Sequence, residues 1–163
     1  MLLARTYKLV LGAVFLSMLL FPRDVSSESV PSAGWRGHRI PFRARNGAIY
    51  IDARVNGRRA SLLVDTGATA TMFGLNLVPT LNSTSKISVN LAKGSVSAYR
   101  FPVGFSLVED SANGGRSCSF HREVVVGDFK FPEADGVIGL DVLSAFKSAT
   151  VDFLNSVLVL EDR

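Results

Sequence analysis

The stretch SLLVDTGATATMFG, Ser61 to Gly74, decides the reading of this chain. Three apolar residues, Leu62 to Val64, run straight into Asp65, and Thr66-Gly67 follow at once. An apolar run of this kind suits a buried strand, and the residues behind it cannot extend one. Burial disfavours a charged carboxylate unless donors hold it. Thr66 can offer a hydroxyl, and Gly67 permits a tight turn that aims its N–H back at the acid. A single aspartate is a poor catalyst of amide hydrolysis. Two brought together share a proton and divide into an acid and a base that activate a water. Asp-Thr-Gly alone also fits an ordinary strand-end turn, so its surroundings decide.

Upstream, Ala48 to Val55 alternates, Asn56-Gly57 signals a two-residue hairpin, and Ala60 to Val64 returns. Downstream, Lys86 to Leu91 and Ser95 to Phe101 flank Ala92-Lys93-Gly94, a second hairpin. Val103 to Val108 and Phe120 to Val126 flank a polar stretch, Glu109 to Ser119, that reads as a long loop. Gly127-Asp128 turns the chain into Phe129 to Phe131. Leu140 to Phe146 has a helical pattern of about two turns, with Asp141 near its start. Thr150 to Leu154 and Val157 to Leu160 close the chain as strands around Asn155-Ser156. Short strands at frequent turns predict an all-β domain, a sandwich or small barrel.

The 163 residues suit one domain. Residues 1–27 read as an export signal: Arg5 and Lys8 precede the apolar run Leu9 to Phe21, and Val25-Ser26-Ser27 offers small residues for cleavage. Thirteen apolar residues fall short of the roughly 20 of a spanning helix, and a retained membrane anchor stays as the second reading. Either places the domain outside the cytoplasm, periplasmic or secreted, or tethered to the membrane. Residues 28–45 are rich in Pro, Gly, Ser and Arg and read as a linker, with Trp35 and His38 as scattered surface residues. Residues 46–163 form the domain.

Residues 1–45 carry seven basic groups against two acidic, and residues 46–163 carry eleven against twelve. The basic balance therefore belongs to the leader and linker. Clustered basic residues on the folded part are not expected, which argues against a nucleic-acid partner. Cys118 allows no intrachain disulfide and reads as an inert small residue in a strand. His38, His121 and one cysteine are too few and dispersed for a zinc site, and no metal or cofactor is expected. Asn82-Ser83-Thr84 is a glycosylation sequon, meaningful only on a eukaryotic secretory route.

The strand-turn-strand before Asp-Thr-Gly-Ala, together with DGVIGLDVLSAF about seventy residues on, resembles the retropepsin-like aspartic proteases, closest to exported or membrane-tethered bacterial forms. The resemblance covers about residues 46–163. It implies a small closed acid-protease barrel with a flap hairpin and one short C-terminal helix. Asp65, Thr66 and Gly67 match the catalytic triplet, and Ala68 the residue after it. Val137-Ile138-Gly139 matches the element that crosses under the triplet and supports it. The hairpin around Lys93, Gly94 and Ser95 falls where the family places its flap over a bound peptide.

The resemblance further implies a homodimer in which each chain supplies one Asp65. Ala68 stands where two-domain relatives often carry Ser, a donor to the carboxylate, so activity is expected to extend to milder pH. Asp135 lacks the Thr/Ser-Gly that orients a catalytic acid and reads as a turn residue. Asp141 reads as a helix-start residue, and Asp152 as a strand residue facing solvent or a partner. Glu109 to Ser119 matches none of the family's motifs and reads as a solvated loop, with a specificity insert second. Two further functions stay open: a peptide-binding or dimerisation module without cleavage, and a tethered accessory domain that presents a partner.

Overall fold

The computed structural model describes residues 37–79, 85–91, 94–109, 117–131 and 133–163. The leader, Trp35, Lys93 and the sequon lie outside the described residues. The described fold is nearly all β: β1 (Gly37–Arg45), β2 (Ala48–Val55), β3 (Arg58–Val64), β4 (Met72–Gly74), β5 (Lys86–Leu91), β6 (Gly94–Val108), β7 (Ser117–Gly127), β8 (Gly136–Ile138), α1 (Leu140–Leu143), β9 (Ser148–Asp152) and β10 (Val157–Glu161). They form one sheet in the order β5-β6-β7-β4-β8-β3-β2-β1-β10-β9, and a further β2–β6 pairing folds it back on itself.

Turn chemistry sets the first hairpins. Asn56 and Gly57 have φ of 48° and 79°, the left-handed pair that a type I′ turn requires. Asn46 and Gly47, at 52° and 76°, make the same turn between β1 and β2. Residues 37–45, read above as the end of a linker, are thus a strand. Ile40 and Phe42 are buried while Pro41 and Arg43 face out. Pro41 ends the pairing with β10, and Phe42 begins the pairing with β2. A proline at a change of partner leaves no gap in either ladder, which is why composition concealed the strand.

Other boundaries shift for similar reasons. Ser95 to Phe101 and Val103 to Val108 are one strand, β6, running through Pro102 and pairing with β7 from Ala98↔Gly127 to Val108↔Ser117. The loop expected over Glu109 to Ser119 is shorter than that, because Ser117 to Ser119 already belong to β7. Glu109 is buried, with Oε1 2.7 Å from His38 Nδ1, so His38 is a packed residue rather than a scattered one. Phe129 and Phe131 are not in a strand; their rings pack 5.4 Å apart. The helix is one turn, Leu140–Leu143, continued to Phe146 by tighter bonds from Ala145 N to Val142 O and Phe146 N to Leu143 O. Phe153 and Leu154 lie past β9, in the turn before β10, and are exposed.

The main core joins Ile40, Ile51, Leu62, Phe73, Leu107, Val126, Ile138 and Leu160, all fully buried. A smaller cluster of Ala98, Val125 and Phe129 packs with Met72, Ile87, Val89 and Leu91 between the β5–β6 hairpin and the rest. Cys118 is buried as expected. Burial, then the charges of Glu109 and Asp162, push its thiol up to about 12, so it stays protonated and unreactive.

Candidate active site

β3 carries the chain through the core and delivers Asp65 at its end. β8 lies parallel beside it, in the register Leu62↔Gly136, Leu63↔Val137 and Val64↔Ile138. The ladder continues one step, with Asp65 N donating to Ile138 O at 3.0 Å. The chain then turns: Gly67 N donates to Asp65 Oδ1 at 2.8 Å, and Ala68 N to Asp65 O at 3.3 Å. A Cβ on Gly67 would stand 3.1 Å from that carboxylate oxygen. A side chain here would press on that oxygen, so the close approach, rather than an unusual φ, favours glycine. Asp65 itself is half-buried, while Thr66 and Gly67 are exposed.

Thr66 does not hold the carboxylate as expected. Its side chain makes no hydrogen bond among the described residues, because the turn directs the Gly67 amide to Oδ1 and leaves Thr66 on the solvent side. Asp65 Oδ2 likewise accepts no hydrogen bond from the described residues. One oxygen is fixed and the other is presented.

The loop is stapled from below. Leu140 N donates to Ala68 O at 2.8 Å. Thr71, fully buried, accepts from Gly139 N at 3.2 Å and donates to Asp141 Oδ1 at 2.8 Å. Asp141 Oδ1 also accepts from Val142 N at 2.9 Å, as its place in the first turn of α1 predicts. Arg122 donates to Asp141 O at 2.6 Å. A Cβ on Gly139 would meet the Ala70 carbonyl at 2.7 Å and Ala68 O at 2.8 Å, so only glycine lets the two segments touch. Val137, Ile138 and Gly139 thus brace the site from the core; Val137 and Ile138 are buried and face no substrate. Thr71 and Arg122 escaped the sequence reading. The one signal for Thr71 was a polar residue between Ala70 and Met72-Phe73.

Asp135 is excluded as an intrachain partner of Asp65. Its carboxylate accepts from Ser61 N at 2.9 Å and Asn76 Nδ2 at 3.2 Å. Ser61 lies four residues before Asp65, roughly 13 Å along a strand. Asp135 is a turn residue, as expected.

Above the loop stands the β5–β6 hairpin, paired from Lys86↔Tyr99 to Leu91↔Gly94. Gly94 has φ +127°, and Ser95 Oγ donates to Asn90 Oδ1 at 2.7 Å. Between loop and hairpin lies a cleft of about 370 Å³, walled by Gly67, Ala68 and Met72 on one side and Ile87, Val89 and Leu91 on the other, with Arg100 and Val125 at its base. The cleft thus joins Gly67 and Ala68, from the end of the Asp65 turn, to the β5–β6 hairpin expected as the flap, while Val137 to Gly139 lie beneath the loop and do not line it.

A family profile described as aspartyl protease matches residues 51–142, more than half of the chain, and the chain belongs to that family. Among solved structures it is similar to a retropepsin-like aspartic protease from Rickettsia conorii, at 21% identity and a TM-score of 0.52, covering 78% of this chain and 95% of that one. It is also similar to EIAV protease complexed with an inhibitor (19% identity, TM-score 0.45, 63% and 91% covered) and to simian foamy virus (mac) protease (13%, 0.41, 58% and 91%). No curated protein matches. The fold is retropepsin-like.

Proposed function

We propose that the protein is an aspartic endopeptidase whose site is completed by a second copy of the chain. The observation that supports this most is the half-satisfied carboxylate of Asp65. One oxygen is fixed by the Gly67 amide and the other is open, with no second catalytic acid among the described residues in reach. Two such loops meeting across a two-fold axis would place Asp65 beside its counterpart, an isologous contact. The exposed Thr66 hydroxyl, unused within the described chain, would face that same contact.

A water between the two carboxylic groups, which share one proton, attacks the scissile carbonyl carbon. The ionised aspartate takes the water's proton, and the protonated one gives its proton to the carbonyl oxygen. The tetrahedral intermediate collapses as one hydroxyl returns its proton to a carboxylate and the C–N bond breaks. The leaving nitrogen receives a proton from the other aspartate, and the shared-proton state is restored. The chain's own contribution is positioning: β3 and β8 fix Asp65, and the hairpin of β5–β6 closes the cleft. The N-terminal segment is proposed to export the domain, cleaved or retained as a membrane tether. Cell fractionation with an antibody to the domain tests this; a cytoplasmic pool alone would contradict it.

Cleavage of an unfolded protein substrate by wild type beside Asp65→Asn tests the enzymatic reading. Loss of roughly a hundred- to ten-thousandfold is expected on removing an essential acid–base group. Equal activity in both, or none in a folded dimer from acid to neutral pH, would leave the peptide-binding module as the better account.

A further inference from the structure

The outward face of β1–β3 carries charge that the Asp65 site does not use. Residues 37–64 contain six arginines (Arg39, Arg43, Arg45, Arg54, Arg58, Arg59) and one acid, Asp52. The expectation that the folded part lacks clustered basic residues rested on treating residues 28–45 as linker. Because residues 37–45 fold as β1, Arg43 and Arg45 stand beside β2, opposite Tyr50 and Ala48.

Three of these cations have close partners. Arg43 pairs with Asp52 at 2.8 Å and Arg45 with Glu133 at 3.1 Å. Arg58 donates to Asn76 O at 2.9 Å. Arg54 and Arg59 differ. They are directly opposed in the β2–β3 ladder, where like charges destabilise. Neither has a carboxylate partner among the described residues; Arg54 has a long 3.5 Å contact to Gly57 O.

The backbone opens a groove beside them. On the edge of β2 away from β3, β1 pairs with residues 48–51 and β6 with residues 53–55. The sheet forks at Asp52, between the two ladders. The groove there, about 540 Å³, is lined by Arg43, Asp52, Arg54, Arg59, Ser61 and Val108 and includes no residue of the Asp65 loop.

We propose that this fork binds an acidic peptide segment, Arg54 and Arg59 each taking a carboxylate. Guanidinium groups present two parallel donors that match a carboxylate. Asp52 and Asp135 also line the groove, and their charge repels a compact dianion such as phosphate more than single carboxylates spaced along a chain. Bound carboxylates relieve the Arg54–Arg59 repulsion, so the unfavourable pair in the free protein becomes a source of affinity. The site stands apart from the catalytic cleft and is independent of the protease assignment.

Binding of fluorescein-labelled hexaglutamate to the full chain, carrying Asp65→Asn to prevent turnover, tests it by anisotropy. Hexaglutamate should bind, more weakly as salt rises, and hexaglutamine should not. The double variant Arg54→Gln/Arg59→Gln should weaken binding at least tenfold, with a melting temperature no lower than its parent. Arg59→Glu, which places an opposite charge beside Arg54, should cause the same loss. Lys130→Gln, exposed and no part of the groove's lining, should change nothing. Equal binding of hexaglutamine, equal loss in Lys130→Gln, or parental affinity in a folded Arg59→Glu would overturn the proposal. Competition by inorganic phosphate at the peptide's own concentration would overturn it as well.

Discussion

Thr71 touches no substrate, yet its hydroxyl spans the gap between the Asp65 loop and the turn into α1, accepting from Gly139 N and donating to Asp141. Thr71→Val keeps the shape and leaves the buried Gly139 amide without a partner. We predict a loss of roughly 1–3 kcal/mol in urea unfolding, with kcat falling more than KM rises because the loop, not the cleft wall, is loosened. Ala68 closes the same turn, its backbone N 3.3 Å from the main-chain carbonyl oxygen of Asp65. Ala68→Ser adds a donor, which favours the charged form of a carboxylate. The acid limb of the pH–rate profile should therefore move to lower pH; a limb that stays in place would show that the serine hydroxyl does not reach the acid. Asp65 and Gly67 were legible because Asp-Thr-Gly follows an apolar strand, and Gly139 because Val137-Ile138-Gly139 resembles the family's supporting element. Thr71 and Arg122 were not, since their partners lie 68 and 19 residues away.

At the scale of elements, the β9–β10 hairpin is held by carboxylates at both ends. Asn155, through its side chain and its amide, holds Asp152 below its usual range, and Lys147 and Ser148 do the same for Glu161. Both groups have folded pKa values below the ordinary 3.8 and 4.5, so their stabilisation is complete above those values. It is lost as pH falls through the depressed folded values. Both carboxylates are exposed, so the effect is small. Acidification from pH 5 to about pH 3 should shift the hairpin's amide resonances before the core melts, and Asn155→Ala should remove much of that dependence at the turn. The Asn56-Gly57 hairpin was readable because an alternating strand precedes it and an apolar one follows; the Asn46-Gly47 hairpin was not, because its first strand lies in residues 28–45, whose Pro, Gly, Ser and Arg content hides the alternation. β4, three residues long and paired on both sides by partners distant in sequence, had no local signal.

Across the whole molecule, the all-β class followed from the alternation and turns. The sheet order did not, because β3–β8 and β4–β7 are parallel pairings between distant segments. The basic face was missed for a related reason: its arginines come from two stretches that only folding brings together. The central claim concerns the assembly, in which each chain holds half of a site. Mixing wild type with Asp65→Asn chains and letting them exchange measures it directly. If a site needs Asp65 from both chains, the specific activity of an equimolar mixture should fall to about one quarter of wild type, the square of the wild-type fraction in an isologous pair. A fall to only about one half, linear in wild-type chain, would mean that each chain acts alone and would contradict the account.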